Sequence, residues 1–190
     1  MTDRPRVIPL DEAKRQVALV CRRLALLHIA FAEAIVEALG QEEGIRLVAR
    51  AIKRYGKLIG EAKRETASRL GLEATMESFE KVSDLPSFGM HDAVEKVDVE
   101  GEPRIRAHGC VMGEIWREQG KAHLGRLYCY VDPASSMAFN AGFKLVHTRS
   151  VPDGDPFCEL AMRPTTARDR ETFAADDSDW QSVERTTGDK

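Results

Sequence analysis

The sequence predicts an α+β fold, in which an N-terminal hairpin of two long helices precedes a mostly antiparallel four-stranded sheet with flanking helices. Apolar residues recur at helical spacing through residues 11–82, and the turn-forming loop 84–89 ends that pattern. Two pairs of strand-like runs follow the loop, each pair joined by a turn. Helices before strands are the order typical of an α+β domain.

The first helix is predicted over residues 11–39, with Asp11 as its N-cap and Gly40 as its stop. One stripe of apolar residues follows the helical period: Val17, Val20, Leu24, Leu27, Phe31 and Ile35. Cys21 lies on the apolar side and is assigned to the core.

The second helix is predicted over residues 41–70, where Gly71 ends it. Gly56 and Gly60 share one face, which favours close packing of another helix there. Because both helices are long for this chain, we expect an antiparallel hairpin that can also be shared with a second subunit as a homo-oligomer.

The second half of the chain alternates strands and helices after a short helix around residues 76–82. Two strands joined by a turn are predicted at 94–99 and 105–111, helices at 112–120 and 122–130, and a second hairpin at 143–151 and 157–162.

The length of 190 residues favours one domain, which we place at residues 1–164. Its helical half spans 11–82 and its sheet half spans 91–164. Residues 165–190 are predicted to form a polar, partly mobile extension, anchored only by Phe173 and Trp180.

Charge and hydropathy limit the classes of partner that the protein is expected to bind. With 28 basic and 31 acidic residues, the chain has no positive surplus for nucleic acid or an anionic membrane. The start of the sequence does not resemble a signal peptide, and the apolar stretch 24–32 is well short of the ~20 residues that cross a bilayer. We therefore expect a cytoplasmic protein that binds a small molecule.

Four cysteines without a C-x-x-C pair leave thiol chemistry or plain packing in a reducing compartment. Cys110 is predicted at the end of a strand and directly before a helix, where the helix dipole lowers a thiol pKa. His108 is expected on the same strand face, and Glu114 on the first exposed helical turn. Cys110 is therefore the first candidate for a nucleophile.

Cys129 and Asp132 share a face if the helix continues, and Tyr128 and Asn140 are near enough in sequence to join them. A carboxylate beside a thiol can orient water or carry a proton. Cys158 follows a turn on the last strand. If that strand pairs beside the Cys110 strand, the two sulfurs face one cavity.

Structural explanations compete with each of these assignments. A free cysteine is more often a small core residue than a catalyst, and Glu114 and Asp132 can be a solvated helix face and a helix cap. Cys110, Cys129 and Cys158, with His108 or Asp132, can also ligate zinc, but their irregular spacing gives no metal signature. The metal-free site ranks first and zinc second.

Several segments resemble the L-2-amino-thiazoline-4-carboxylic acid hydrolase family. They are His108-Gly109-Cys110, Glu114, residues 124–132, Phe139-Asn140 and residues 153–158, with residues 39–43 and 55–60 in the helical half. The specific part is the pattern C…YC-x-x-D…GD-x-x-C, and the likeness extends to about Pro164.

The resemblance implies a hydrolase that opens a cyclic amidine to an N-carbamoyl amino acid without a cofactor. Cys110 or Cys129 would attack or position water, Asp132 and Glu114 would move protons, and His108 would polarise the substrate. Five residues are candidates for binding the substrate: Cys158, Asn140, Tyr128, Arg149 and His91, with Arg149 pairing a substrate carboxylate.

The family is also distantly similar to 4-vinyl reductase type ligand-binding domains, in which cysteines serve a sensor or a metal. A non-catalytic small-molecule-binding domain is therefore the alternative, and an oligomerisation scaffold is a third hypothesis. A sensor needs a module that receives its signal, and no such module is recognised in these residues, which favours the enzyme.

Overall fold

The computed structural model describes residues 7–86, 88–175 and 180–184. It confirms the α+β class. The helices are α1 Leu10–Leu39, α2 Gln41–Arg69, α3 Met76–Lys81, α4 Val111–Glu118, α5 Ala122–Cys129, α6 Val131–Phe139 and α7 Ala167–Ala174. The strands are β1 Ala93–Val99, β2 Glu102–His108, β3 Phe143–Arg149 and β4 Cys158–Pro164, and short 3-10 turns span Val151–Asp153 and Trp180–Val183. None of the helices in these residues is long and apolar enough to cross a membrane.

The four strands form one sheet in the order β1-β2-β4-β3, with antiparallel neighbours throughout. Both predicted hairpins are confirmed. The strand that begins with Cys158 pairs with β2, and Cys158 lies opposite Ala107. The conditional expectation that this strand lies beside the strand leading to Cys110 is therefore confirmed.

The first hairpin is tighter than predicted. Glu100 and Gly101 adopt φ angles of 56° and 85°, and positive φ at both central residues is what a two-residue type I′ turn requires. Pro103 consequently belongs to β2 and not to the turn. It lies just outside the β2–β4 ladder, which begins at Arg104, so its missing N–H costs that ladder nothing.

The predicted continuation of β2 to Val111 is wrong. Gly109 adopts φ 61°, a left-handed conformation that turns the chain out of the strand. The strand ends at His108, and α4 begins at Val111. Cys110 is left as the N-cap residue of α4.

Helix α1 buries only part of the predicted stripe: Val17, Leu24 and Ile35 pack against the core, but the most buried residues lie beside the stripe. Its buried residues are Cys21, Ala25, Ile29 and Ala32. Three members of the predicted stripe are largely exposed: Val20 at 66%, Leu27 at 54% and Phe31 at 64%. The alanines allow close approach, since Trp116 of α4 donates a hydrogen bond to the Ala25 carbonyl at 3.0 Å. The core assignment of Cys21 is confirmed, whereas the homo-oligomer stays a prediction.

Helix α2 packs against α6 through the two glycines. A side chain on Gly56 would overlap Ala134, and one on Gly60 would overlap the Ser135 carbonyl oxygen. The helix-packing interpretation of these glycines is therefore confirmed. This contact positions α6, which carries Asp132 in its first turn.

Replacing Gly60 with alanine is expected to lower the free energy of unfolding by about 1–3 kcal/mol, because α6 must shift to admit the methyl group. Urea denaturation followed by circular dichroism measures the change. Ala51→Ser, at an exposed position of the same helix, is the control and should leave stability nearly unchanged. Equal stability of Gly60→Ala and the wild type would contradict this packing.

The C-terminal segment returns to the body of the domain. Phe173 and Trp180 are 8% and 3% exposed, and the Trp180 indole donates to the Ala49 carbonyl at 3.0 Å. Both expected anchors are therefore in place, and they carry Glu184 to the sheet. The predicted mobility of residues 185–190 lies outside the described residues.

Candidate active site

Cys110 packs against the buried cluster that contains Cys158, and the two thiols interact electrostatically. The Cys110 sulfur accepts a hydrogen bond from the Gly113 N–H at 3.4 Å, and the Cys158 sulfur accepts one from the Val151 N–H at 3.5 Å. The pairing of β2 with β4 brings the two cysteines together. Cys158 is buried, whereas Cys110 is partly exposed, so a small molecule would reach the pair from the Cys110 side.

The pair shares one proton between two sulfurs. The hydrogen bond from Cys110, helped by the Val151 N–H and the positive charge of His147, lowers the pKa of the Cys158 thiol to about 6. The same hydrogen bond, with burial, raises the pKa of Cys110. The expected lowering of the Cys110 pKa by its helix is therefore reversed, since the Gly113 N–H cannot outweigh a neighbouring thiolate.

Cys129 and Asp132 lie at the junction of α5 and α6. Burial raises the pKa of Cys129 well above its ordinary value, so this thiol is neutral. Burial also raises the pKa of Asp132, while the charge of His147 opposes that shift. The charge of Asp132 affects the pKa of Cys158, and the charge of Cys158 affects the pKa of Cys129. The three thiols and this carboxyl group are therefore electrostatically coupled.

A buried ionic network that the sequence did not predict borders these groups. His147 Nδ1 donates to Glu184 at 2.7 Å, and His147 Nε2 lies 3.6 Å from an Asp132 oxygen. Arg126 binds the other Glu184 oxygen through Nη2 at 2.5 Å and Asp153 through Nε at 2.7 Å. The network links β3, α5 and the C-terminal segment.

The charged groups of this ionic network stabilise one another. Burial opposes ionisation of Glu184, but the hydrogen bond from His147 and the charge of Arg126 outweigh it and lower the Glu184 pKa. Burial likewise opposes the charged form of His147, but Glu184 and Asp132 raise its pKa. His147 therefore holds a proton beside the thiols and can donate it.

One weak signal could have identified His147. His147 lies two residues after Leu145 on a predicted strand, so both side chains are on the same face of the sheet, the one that points towards the helices. Glu184 carries no such signal, because it lies in a polar segment 37 residues farther along the chain. Only the packing of Trp180 brings it to the site.

The described contacts of His108 are with Phe157 and Glu95, not with a thiol. Its ring is 5.3 Å from that of Phe157, and its Nε2 is 3.1 Å from Glu95. It shares a strand face with Cys110 only if the strand continues, and the turn at Gly109 prevents this. The expected common face of His108 and Cys110 is therefore wrong.

Three further candidates have other surroundings. Glu114 is exposed on α4. The Asn140 side-chain amide donates to the Ala74 carbonyl at 2.6 Å, which joins α6 to the loop before α3. Arg149 is half exposed and lies 3.6 Å from Asp155. None of these described contacts connects the three residues with the thiols.

Tyr128 interacts electrostatically with Cys129, and His91 interacts with Asp92. The Tyr128 hydroxyl is 3.5 Å from that of Tyr55, and burial together with this contact raises the Tyr128 pKa. Cys129 contributes to the same shift. Burial lowers the pKa of His91, and the negative charge of Asp92 opposes this shift.

A zinc site requires three or four convergent ligands. Across residues 7–86, 88–175 and 180–184, no group of three or more His, Cys, Asp or Glu side chains is arranged to hold a metal ion. Cys110 and Cys158 instead accept hydrogen bonds from backbone N–H groups. The arrangement of the described residues therefore gives no support to the zinc alternative.

The sequence model of the L-2-amino-thiazoline-4-carboxylic acid hydrolase family matches residues 20–162. The chain belongs to this family. No curated protein and no solved structure matches it significantly. The matched range of the hydrolase family contains the three thiols, Asp132, His147 and Arg126, while Glu184 lies beyond it.

The thiolate absorbance of the protein is expected to rise as the pH increases through about 6, because Cys158 loses its proton there. An ultraviolet absorbance titration measures the midpoint. Cys158→Ala should remove this step, whereas Cys21→Ala, in the core of α1, should retain it. A wild-type titration with steps only above pH 8, where ordinary thiols ionise, would contradict the assignment.

Proposed function

We propose that this protein hydrolyses a small cyclic amidine, such as L-2-amino-thiazoline-4-carboxylate, to an N-carbamoyl amino acid. One observation carries the proposal: a chain of the hydrolase family holds an ionisable thiol pair beside a protonated histidine. An ionised thiol and an adjacent acid are the two groups that ring opening at an amidine carbon requires.

The reaction begins at the ring carbon between nitrogen and sulfur. The Cys158 thiolate adds to this carbon, and the former C=N nitrogen takes a proton. The ring C–S bond then breaks, and the departing sulfur takes a second proton. The carbon is left bound to Cys158, and the substrate carries a free thiol.

Water completes the hydrolysis. It adds to the carbon attached to Cys158 and loses one proton to a nearby base. The Cys158 thiolate then departs as the remaining hydroxyl proton is lost, so the two protons of the water replace the two taken up during ring opening. The carbon becomes the carbonyl of a carbamoyl group, so one water is consumed per ring opened. Splitting one difficult displacement into two easier ones is the usual benefit of a covalent intermediate.

The surroundings of the thiols support specific roles. Cys158 has the lowered pKa of a nucleophile, and Cys110 donates the hydrogen bond that keeps it ionised. His147 supplies the proton for the departing sulfur, since Glu184 keeps it charged. Asp132, whose oxygen lies 3.6 Å from His147, takes the proton of the attacking water. These roles replace the attack by Cys110 or Cys129 expected from the sequence.

Incubation of the purified protein with the thiazoline acid tests the proposal. Free thiol should appear in step with substrate loss, and mass spectrometry should identify N-carbamoyl-cysteine. Saturable binding without turnover would instead favour the non-catalytic binding domain. Neither binding nor turnover would reject this substrate.

A further inference from the structure

One nitrogen of the Arg126 guanidinium has no hydrogen-bond partner among the described residues. Nε and Nη2 are held by Asp153 and Glu184. The remaining nitrogen, Nη1, is buried. A buried donor on a charged group normally has a partner, so this nitrogen indicates that an acceptor can arrive from outside the chain.

A second buried polar atom without a partner lies on the loop that Arg126 contacts. Ser150 is 1% exposed, and its Oγ has no partner within the described residues. Its backbone is already used, since its N–H donates to Asp155 at 2.8 Å and its carbonyl accepts from Asp153 at 3.0 Å. Only the hydroxyl of Ser150 is therefore left to bind a ligand.

Both residues are connected to the turn that contacts the reacting sulfur. Ser150 directly precedes Val151, whose N–H donates to the Cys158 sulfur at 3.5 Å. Arg126 is fixed to the same 3-10 turn through Asp153. A group that bridges the guanidinium and the hydroxyl would hold the rest of a small ligand beside Cys158.

The donor chemistry of the two atoms favours an anionic acceptor, although Glu184, Asp153 and the Cys158 thiolate balance the charges of Arg126 and His147. Arg126 and His147 are both positive, whereas Glu184 is the ionised acid buried between them. Asp153 is about half exposed, so solvent screens its charge. An arginine N–H beside a hydroxyl donor is suited to a carboxylate, whose oxygens accept hydrogen bonds from both.

We propose that Arg126 Nη1 and Ser150 Oγ form a carboxylate-binding site that orients the substrate. This inference rests on the proposed function for the identity of the reacting ring. The preferred substrates are then cyclic amidines with a carboxylate on the ring. The site takes the role that the sequence suggested for Arg149, which is half exposed.

Matched ligands test this site in protein that carries Cys158→Ala, so that binding is measured without turnover. Calorimetry compares the thiazoline acid with 2-amino-thiazoline, which lacks the carboxylate. Ser150→Ala should weaken binding of the acid by about 3- to 10-fold, the effect of one hydrogen bond, and Arg126→Lys by about 10- to 100-fold. Binding of the carboxylate-free ring should change by less than about 2-fold, since neither group contacts it.

Arg149→Gln is the control and should leave both affinities unchanged. Equal losses for the two ligands, or a loss only in Arg149→Gln, would overturn the carboxylate site. If Arg126→Lys fails to fold by near-ultraviolet circular dichroism, Ser150→Ala decides alone. That variant removes a hydroxyl without a described partner, so it should keep the wild-type melting temperature.

A simple ligand pair separates this inference from the proposed function. Propionate should raise the melting temperature of the wild-type protein, propionamide should not, and Ser150→Ala should reduce the propionate effect. If propionate stabilises the protein but the thiazoline acid is not turned over, the proposed function fails and the carboxylate site stands. If the two ligands act alike, the carboxylate site fails, whatever the turnover result.

Discussion

Cys158→Ala is expected to lower kcat/KM for the thiazoline acid by roughly a thousandfold or more, because the variant lacks the only thiol assigned a lowered pKa. Release of free thiol from the substrate measures the rate. Near-ultraviolet circular dichroism establishes that the variant remains folded. The change removes a small buried side chain, and we expect the fold to tolerate it.

Three further cysteine variants make this result specific. Cys21→Ala should keep the wild-type rate, since Cys21 packs in the core of α1. Cys110→Ala should shift the activity profile to higher pH, because Cys158 then loses the hydrogen bond that favours its thiolate. Cys129→Ala should retain activity, as that thiol is neutral. Full activity of Cys158→Ala would overturn the assignment of the nucleophile.

Glu184→Ala is expected to lower the free energy of unfolding by about 3–5 kcal/mol, because it leaves two buried positive charges, Arg126 and His147, without their shared partner. Urea denaturation at neutral pH measures the loss. The control is Glu42→Ala, which removes an exposed pair with Arg46 and should change stability little.

The effect of Glu184→Ala should depend on pH. The folded state lowers the pKa of Glu184, so its charge stabilises the fold above the ordinary value of 4.5. This stabilisation is lost as the pH falls through the lowered, folded-state pKa. The difference between variant and wild type should therefore shrink in acid. A constant difference between neutral and acidic pH would contradict a role for this charge.

Local patterns account for much of the architecture. Helical periodicity together with Gly40 and Gly71 predicted the ends of α1 and α2 to within one residue. Turn-forming residues predicted both β hairpins. These features follow from interactions between residues that are close in sequence, which is why one sequence suffices to predict them.

The sequence led to the prediction that the thiols share one site, but not to their protonation. Cys110, Cys129, Cys158 and Asp132 were all expected at one site, because a strand, a helix and a turn placed each of them. Their protonation was not predictable, since the pKa of Cys158 depends on a hydrogen bond from Cys110 and on the charge of His147. Those partners approach through the pairing of separate strands.

The sequence by itself determined the α+β class, the helical hairpin and the set of sulfurs available for chemistry. The tertiary structure alone decided which face of α1 is buried, that His108 points elsewhere, and that Arg126, His147 and Glu184 meet beside the thiols. Burial and electrostatic coupling act through space, between segments far apart in the chain. No periodicity or spacing within a single segment records them.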